Sequence, residues 1–276
     1  MSRQLLLCAI VAMTVAPWTH AADTQTKANA PHMTADQIVE KNVAARGGLA
    51  AWRGVKTMEM RGKMQAGGNN RPAIPVPGIR KADVMPKRSA EQAELPFVMD
   101  LARGRKVRVE IEFNGQTAIQ VYNGAQGWKL RPFLNRHEVE NFTEEEMKAA
   151  SAQTDLDGPL VDYTAKGSKV ELEGVEQVEG HDTYKLKVTD KGNHVRHVWV
   201  DSQTFLEAKV EGTPRRLDGK YHPVVTYYRD YKPVNGLVMP YVLETAVDGV
   251  KDREKVEIET IVANPKLDDS RFAMPR

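Results

Sequence analysis

Cysteine is almost absent from this chain of 276 residues, and the single cysteine, Cys8, lies close to the start. The residues around it are typical of a secretory signal peptide: basic Arg3 precedes an apolar run at 5–16, and a small-residue cleavage pattern follows at 19–21. Cleavage after Ala21, or one residue later, removes Cys8. The mature chain then has no disulfide, thiol nucleophile or cysteine metal ligand, so its stability must come from packing.

Long apolar runs are also missing. The run at 5–16 has twelve residues, whereas a transmembrane helix needs roughly 20. The residues before Cys8 are leucines and not the small residue that precedes a lipidated cysteine, so the sequence disfavours a lipid anchor. We therefore expect residues 1–21 to be a cleaved signal peptide, residues 22–33 to be a flexible polar tail, and the mature chain to be a soluble protein of the periplasm.

Neither sign of charge is in excess: 39 Lys and Arg stand against 37 Asp and Glu, a formal balance of +2. A balance of this kind disfavours a nucleic-acid partner. The sequence also lacks a Gly-x-Ser-x-Gly nucleophile motif and a glycine-rich loop that joins a strand to a helix. We therefore expect neither a catalytic site nor a cofactor.

Metal sites are disfavoured by geometry. The spacing of His194 and His197 suits a helix, but both lie in a predicted strand, where they point to opposite faces. Three methionines between residues 58 and 64 fit an adaptable apolar surface better than a copper site, because no histidine is near them in sequence. The glutamates between residues 171 and 176 are typical of a solvated strand face. We expect no metal site.

Alternation of apolar and polar residues, which predicts β-strands, is abundant. It is clearest at 178–211, where an apolar row from Tyr184 to Val188 begins a meander of three antiparallel strands with turns at 190–193 and 201–204. Further strands are predicted at 55–65, 95–102, 106–113, 117–122, 169–178, 224–231, 237–247 and 255–262, and Trp128 and Leu130 continue the sheet after 117–122. The pattern predicts about ten or eleven strands in total.

Helices are few and short in this prediction. Thr34 and Gln37 form a capping-box pattern that opens a helix, and Gly47-Gly48 ends it. Acidic residues after Thr143 predict a second helix, and a further short helix interrupted by Gly158-Pro159 follows it.

One segment fits neither pattern. Residues 66–94 are rich in proline and glycine and have little periodicity, so we expect a long loop or insertion there. The remaining elements predict one mainly β, α+β domain at 34–276.

A sheet of this size tends to curl or to close, and both outcomes favour an apolar ligand. The inward rows of the strands are predicted to line the ligand cavity, because their other rows are charged. An equally open alternative is that these side chains fill a closed core. The predicted ligand-binding residues are Val107, Val109, Ile111, Ile119, Val121, Trp128, Tyr184, Leu186, Leu243 and Ile258.

Several short motifs occur in a recognisable order. After the helix that ends at Gly47-Gly48 come Tyr-Asn-Gly-Ala-Gln-Gly-Trp at 122–128, Val-Glu-Gly at 178–180, the run at 231–240 and Phe-Ala-Met-Pro at 272–275. With this order the chain resembles the LolA-like family of outer-membrane lipoprotein-sorting proteins over nearly the whole mature chain. The motifs are moderately specific together and weak singly.

The resemblance implies a strongly curved antiparallel half-barrel, with the short helices as a lid over an apolar cavity for acyl chains. It implies a periplasmic carrier or binder of a lipid or lipidated molecule in envelope trafficking, and an inner- or outer-membrane transport protein as a partner. This chain is longer than the compact carrier. Two alternatives stay open: a periplasmic sensor or scaffold that binds a protein partner through the same fold, and a hydrolase or glycan-acting enzyme.

The signal peptide can be tested directly. Because the cleavage pattern ends at Ala21, intact-mass measurement of the periplasmic fraction is expected to show a protein that lacks about the first 21 residues. A full-length or lipidated species would contradict the predicted localisation.

Overall fold

The structure is a computed structural model, and it describes residues 33–67, 92–132, 135–153, 155–217 and 219–276. The predicted signal peptide, nearly all of the predicted tail and most of the predicted insertion at 66–94 lie outside these residues. The two ends of the predicted insertion, 66–67 and 92–94, lie in strands and not in a loop.

Three α-helices and one 3-10 helix lie in the described part of the chain. They are α1 (Ala35–Ala45), α2 (Leu49–Gly54), α3 (Glu144–Gln153) and the C-terminal 3-10 helix Asp269–Phe272. None of the helices in these ranges is long and apolar enough to cross a membrane. The further short helix predicted around Gly158-Pro159 is wrong. Residues 156–167 are turns, in which Gly158 and Asp162 have positive φ, and helical backbone does not tolerate that geometry.

The sequence signals at both ends of α1 are confirmed. The side chain of Thr34 accepts a hydrogen bond from the backbone N–H of Gln37, and the Gln37 side chain accepts one from Thr34, which is the predicted capping box. Gly47 follows the helix with φ +110°, and a Cβ there would lie 2.2 Å from the carbonyl oxygen of Gly236. Only glycine fits this close approach.

Fifteen strands occur in the described ranges. In chain order they are β1 (Thr57–Gly67), β2 (Gln92–Ala102), β3 (Lys106–Phe113), β4 (Gln116–Asn123), β5 (Gly127–Arg131), β6 (Arg136–Asn141), β7 (Lys169–Val178), β8 (His181–Thr189), β9 (Val195–Asp201), β10 (Glu207–Glu211), β11 (Arg215–Leu217), β12 (Lys220–His222), β13 (Val224–Val234), β14 (Leu237–Val247) and β15 (Glu254–Ala263).

Thirteen of these strands form one antiparallel sheet, in the order β6-β5-β4-β3-β2-β1-β15-β14-β13-β10-β9-β8-β7, and this sheet is not closed. Strands β11 and β12 form a separate hairpin. The mainly β prediction is confirmed, but the count of about ten or eleven strands is too low. The sequence prediction missed β6, which has no apolar alternation, and β11 and β12, which lie in a polar stretch.

One face of the sheet, called here the inner face, packs against α1, α2 and the turns at 156–167. The buried side chains of this packed core are Ile38, Val39, Val43, Trp52, Val55, Met58, Phe97, Leu156, Leu160, Val161, Tyr184, Leu186, Val188, Val198, Val200, Val210, Leu237, Met239, Ile258 and Ile261. The core therefore joins both helices to strands from the middle and from one end of the sheet.

A buried ion pair crosses this core. Nη1 of Arg46, at the end of α1, lies 2.9 Å from Oε1 of Glu207 on β10, and each side chain is only 8% exposed. The same nitrogen donates to the carbonyl oxygen of Asp157 at 3.2 Å, and the guanidinium stacks on Trp52 at 4.4 Å. The Tyr231 hydroxyl donates to the backbone carbonyl of Glu207. Arg46 thus ties a helix, a turn segment and the sheet together.

We expect Arg46→Met to lower the free energy of unfolding by about 3–5 kcal/mol, because the substitution leaves Glu207 as a buried charge without its cation. The double variant Arg46→Met/Glu207→Leu is expected to regain part of this loss, since it removes both charges. Urea unfolding followed by circular dichroism measures both changes.

Arg61→Met is the matched control, because Arg61 is 56% exposed and pairs with Glu59 at the surface. Its effect is expected to stay within about 1 kcal/mol. If Arg46→Met and Arg61→Met lowered stability equally, the buried pair would not have the role assigned to it.

Candidate functional site

A cavity of about 310 Å³ lies between the inner face of β2, β3 and β4 and the helix α3. Its walls are mostly apolar, with Gln120 and Glu146 as the polar members. The residues around it are Met99, Leu101, Val107, Val109, Gln120, Val121, Tyr122, Phe142, Glu146, Ala149 and Ala150.

Strand register explains why the sheet wall of this cavity is continuous. Met99 on β2 pairs with Val109 on β3, and Val109 pairs with Gln120 on β4. Residues directly opposite each other on neighbouring strands point to the same face. The pairs of Val107 with Leu101 and Tyr122 extend the wall by one further row.

The opposite wall is α3, and local sequence fixes where this helix begins. The backbone N–H of Glu146 donates to the hydroxyl of Thr143 at 3.2 Å, and the Glu146 carboxylate accepts from the N–H of Thr143 at 2.8 Å. This reciprocal pair is a capping box. Glu146, Ala149 and Ala150 follow at helical spacing on one face and border the cavity, where the two small side chains leave room.

Glu146 is also held from the sheet. Nζ of Lys129 on β5 lies 2.6 and 2.5 Å from the two carboxylate oxygens, and the Lys129 side chain is 7% exposed. Burial on its own raises the pKa of Glu146, but the hydrogen bonds from Lys129 and from the Thr143 backbone outweigh it and hold the pKa below its ordinary value. The carboxylate is therefore charged at neutral pH. Lys129 pairs with Gln120 across the sheet.

Seven of the ten predicted ligand-binding residues lie on the inner face. Val107 and Val109 border the cavity. Tyr184, Leu186 and Ile258 are buried in the packed core, and Ile111 and Leu243 pack against it. The structure therefore places only two of the seven at the cavity, and the five others lie in or against the packed core. A ligand contact at any of these positions stays a prediction.

The inward placement of Ile119, Val121 and Trp128 is wrong. The two-residue turn after β3 pairs Phe113 with Gln116, so that the inner row of β4 is Ala118, Gln120 and Tyr122. Val121 pairs with Arg108 and Trp128, and Ile119 pairs with Glu110 and Leu130, which places all three predicted residues on the outer face. Val121 nevertheless borders the cavity, between two residues that point inward.

Coverage of the outer face explains this error. The C-terminal 3-10 helix lies against β3 and β4, and its Arg271 donates to Asp100 on the outer face of β2 at 2.6 Å. Val121 is fully buried although it points outward. Because apolar side chains are buried on both faces of β4, polarity does not reveal which row is inward.

Sequence reasoning missed the residues that α3 and the neighbouring strands bring to the cavity: Met99, Leu101, Gln120, Tyr122, Phe142, Glu146, Ala149 and Ala150. The register of the tight Asn-Gly turn could have assigned Gln120 and Tyr122 to the inner row. No sequence signal joins Lys129 to Glu146, which lie 17 positions apart.

The histidines considered as metal ligands have carboxylate partners. The His194 ring lies 3.1 Å from Asp190, and the His197 ring lies between Glu211 at 2.6 Å and Glu173 at 3.3 Å. Within the described ranges, no three His, Cys, Asp or Glu side chains form a group that could hold a metal ion.

The chain is similar to several solved structures. A LolA superfamily protein from Nitrosomonas europaea aligns with a TM-score of 0.55 and 13% identity over 87% of this chain and 98% of that one. A DUF1329 family protein from Desulfovibrio piger aligns with a TM-score of 0.53 and 14% identity over 87% of this chain and 97% of that one. A protein from Vibrio parahaemolyticus that is described as an outer membrane lipoprotein-sorting protein domain aligns with a TM-score of 0.52 and 13% identity over 86% of this chain and 95% of that one.

Comparison at the level of sequence gives no further relationship: no protein-family model matches the chain, and no curated protein matches it. At identities this low, structural similarity informs about the fold. Each of the three structures aligns with most of this chain. The chain has the LolA-like fold.

Proposed function

We propose that this protein is a periplasmic binder or carrier of a lipid or lipidated molecule, without a catalytic role. The observation that supports this most directly is the apolar cavity between α3 and the inner face of an open sheet. Each methylene group moved from water into such a site contributes about 0.8 kcal/mol. An aliphatic chain is therefore the ligand that these walls favour.

The character of the walls supports an adaptable site. Met99 has a flexible, polarisable side chain that fits ligands of different shape, and Val107, Val109 and Leu101 provide a smooth aliphatic surface beside it. The polar groups at the cavity support binding more than catalysis, because Glu146 is already engaged by Lys129 and by the cap of α3.

The proposed location and the proposed role are supported by two different observations. The signal-peptide pattern at the start of the sequence supports export to the periplasm. One of the similar structures is described as an outer membrane lipoprotein-sorting domain, which supports a role in envelope lipid or lipoprotein trafficking. In that role an inner- or outer-membrane transport protein would supply or accept the ligand.

A second candidate function is a sensor or scaffold that binds a protein partner. The observation that favours it is the edge strand β7, which has a neighbour on one side only and carries Val175, 54% exposed, and Leu172, 36% exposed. An unpaired strand with apolar side chains can accept an extended segment of another protein. The bulge between Leu172 and Gly174 interrupts this edge.

Native mass spectrometry of the protein purified from the periplasm, followed by lipid extraction, tests the proposed function. We expect a bound species whose excess mass is recovered as acyl-chain material, because the apolar walls retain it through purification. Purified protein without lipid but in a stable complex with another protein would contradict carriage and favour the second candidate.

Substitution by glutamine at a core position and at a cavity position distinguishes residues that fill the packed core from residues that line the cavity. Leu186 is 0% exposed in the packed core, so Leu186→Gln is expected to lower the free energy of unfolding by several kcal/mol, since a buried amide without a partner costs about 1–3 kcal/mol in addition to the lost packing. Val109→Gln is expected to lower stability far less and to reduce the retained lipid. Thermal melts and lipid quantitation on the same preparations measure both effects.

Thr117→Gln on the exposed part of β4 is the control and should change neither quantity. An unchanged lipid content in Val109→Gln would exclude the cavity as the lipid site. An unchanged melting temperature in Leu186→Gln would show that the interior around Leu186 is roomier than the packed core described above.

A further inference from the structure

The cavity has one polar corner with an unusual composition. Lys129 is a cation with only 7% of its side chain exposed, and it lies on the inner face beside Gln120, behind Glu146. Its ammonium group contacts Glu146 at 2.5 Å, and Glu140 lies at 4.0 Å. A buried ammonium group next to apolar walls is costly unless anions surround it. Glu146, which borders the cavity, and Glu140 are the anions that surround it here.

The ion-pair cluster at this corner contains one more cation than carboxylates. Glu140 also pairs with Arg131 at 2.9 Å and with Arg136 at 3.5 Å. The cluster thus holds three cations, Lys129, Arg131 and Arg136, and two carboxylates, Glu140 and Glu146, so its net charge is +1. An incoming anion would balance it.

The size of the cavity limits the apolar part of the ligand. A volume of about 310 Å³ is at the lower end of the roughly 300–1,000 Å³ found for ligand sites. At roughly 30 Å³ for a group the size of a water molecule, which is close to a methylene group, it holds roughly ten such groups. One short chain fits this space.

We propose that the cavity binds a single acyl chain of about ten carbons that carries an anionic head group, either a carboxylate or a phosphate. The chain lies between Val109, Met99 and Ala149, and the head group binds at Lys129 in exchange for Glu146. This inference rests on the proposed function and narrows its ligand class.

The exchange at Lys129 is feasible because Glu146 has an alternative. Its side chain is 38% exposed, so the carboxylate can be hydrated when it leaves Lys129, and the Thr143 hydroxyl still caps the helix because it accepts from the backbone N–H of Glu146. Lys129 has no such alternative, since it is almost fully buried and needs an anion in contact. Glu146 therefore competes with the ligand head group for one cation.

This competition gives opposite expectations for two variants. Lys129→Met removes the cation and is expected to weaken binding of decanoate and of decyl phosphate by about tenfold or more, which corresponds to the loss of a hydrogen bond between charged groups. Glu146→Gln removes the competing charge, keeps the cap of α3, and is expected to tighten binding of both anions. Binding of 1-decanol should change little in either variant.

Titration calorimetry with the purified chain measures these affinities, with Lys148→Met and Glu145→Gln as matched controls. Both control residues are exposed on α3, and their substitution should leave all affinities unchanged. Ala149→Leu narrows the cavity and should weaken every ligand, including 1-decanol. Circular dichroism verifies that each variant is folded. Comparison of decanoate with decyl phosphate separates a fatty-acid ligand from a lipid phosphate.

A chain-length series tests the size limit. Affinity is expected to rise about fourfold for each added methylene group up to about ten carbons and then to level off. A steady rise to octadecanoate, or weaker carboxylate binding in Glu146→Gln, would overturn this inference. Equal affinity for decyltrimethylammonium and decanoate would overturn it as well.

These experiments distinguish a failure of this inference from a failure of the proposed function. If phospholipid or lipoprotein binds while decanoate and decyl phosphate do not, the inference fails and the proposed function stands. If none of the amphiphiles binds and no lipid is recovered from the periplasmic protein, the proposed function fails and takes this inference with it.

Discussion

The buried ion pair between Arg46 and Glu207 is the constraint on which the rest of the structure depends. It connects the end of α1 to β10, and through Asp157 and Trp52 it also reaches the turns at 156–167 and α2. Two charges in an apolar core are tolerated only when each finds its partner, so the pair favours the docking of α1 and α2 in which Arg46 meets Glu207. The close approach of Gly47 to Gly236 and the packed core hold α1 and α2 at the same place.

This constraint divides the inner face into two regions of different character. Under α1 and α2 the space is filled by large side chains such as Trp52, Leu160 and Leu186, all fully buried. Under α3 two of the residues that face the sheet, Ala149 and Ala150, are small, and a cavity remains. Walls without opposing atoms lose dispersion contacts, so the filled region must provide the stability that the other region lacks. A binding site and a stable fold thus coexist on one sheet.

Local signals in the sequence were sufficient for much of this architecture. The capping box at Thr34, the Asn114-Gly115 turn and the alternating row from Tyr184 to Val188 each act over a few residues, and the structure has all three. Strand propensity does not predict whether a sheet closes. The open sheet agrees instead with the half-barrel that the family resemblance implies. Short polar strands such as β6 escaped detection, since they are held by a neighbour and not by their own pattern.

The candidate site was harder to predict, for reasons that its residues make clear. Ile119, Val121 and Trp128 were assigned to the wrong face because the C-terminal helix buries part of the outer face as well. Lys129 and Glu146 meet only when α3 lies over β5. Contacts of this kind depend on how helices and strands pack together. The spacing of residues along the chain does not predict this packing.

The cavity also has a consequence for the lifetime of the protein. A ligand that binds the folded chain and not the unfolded one adds to its stability in proportion to the logarithm of the ligand concentration. Partly unfolded proteins in the cell envelope are removed by proteases, and the amount removed follows the unfolded fraction. An apolar ligand held between α3 and the sheet would therefore set how long each copy survives, so that protein abundance would follow lipid supply without any change in synthesis.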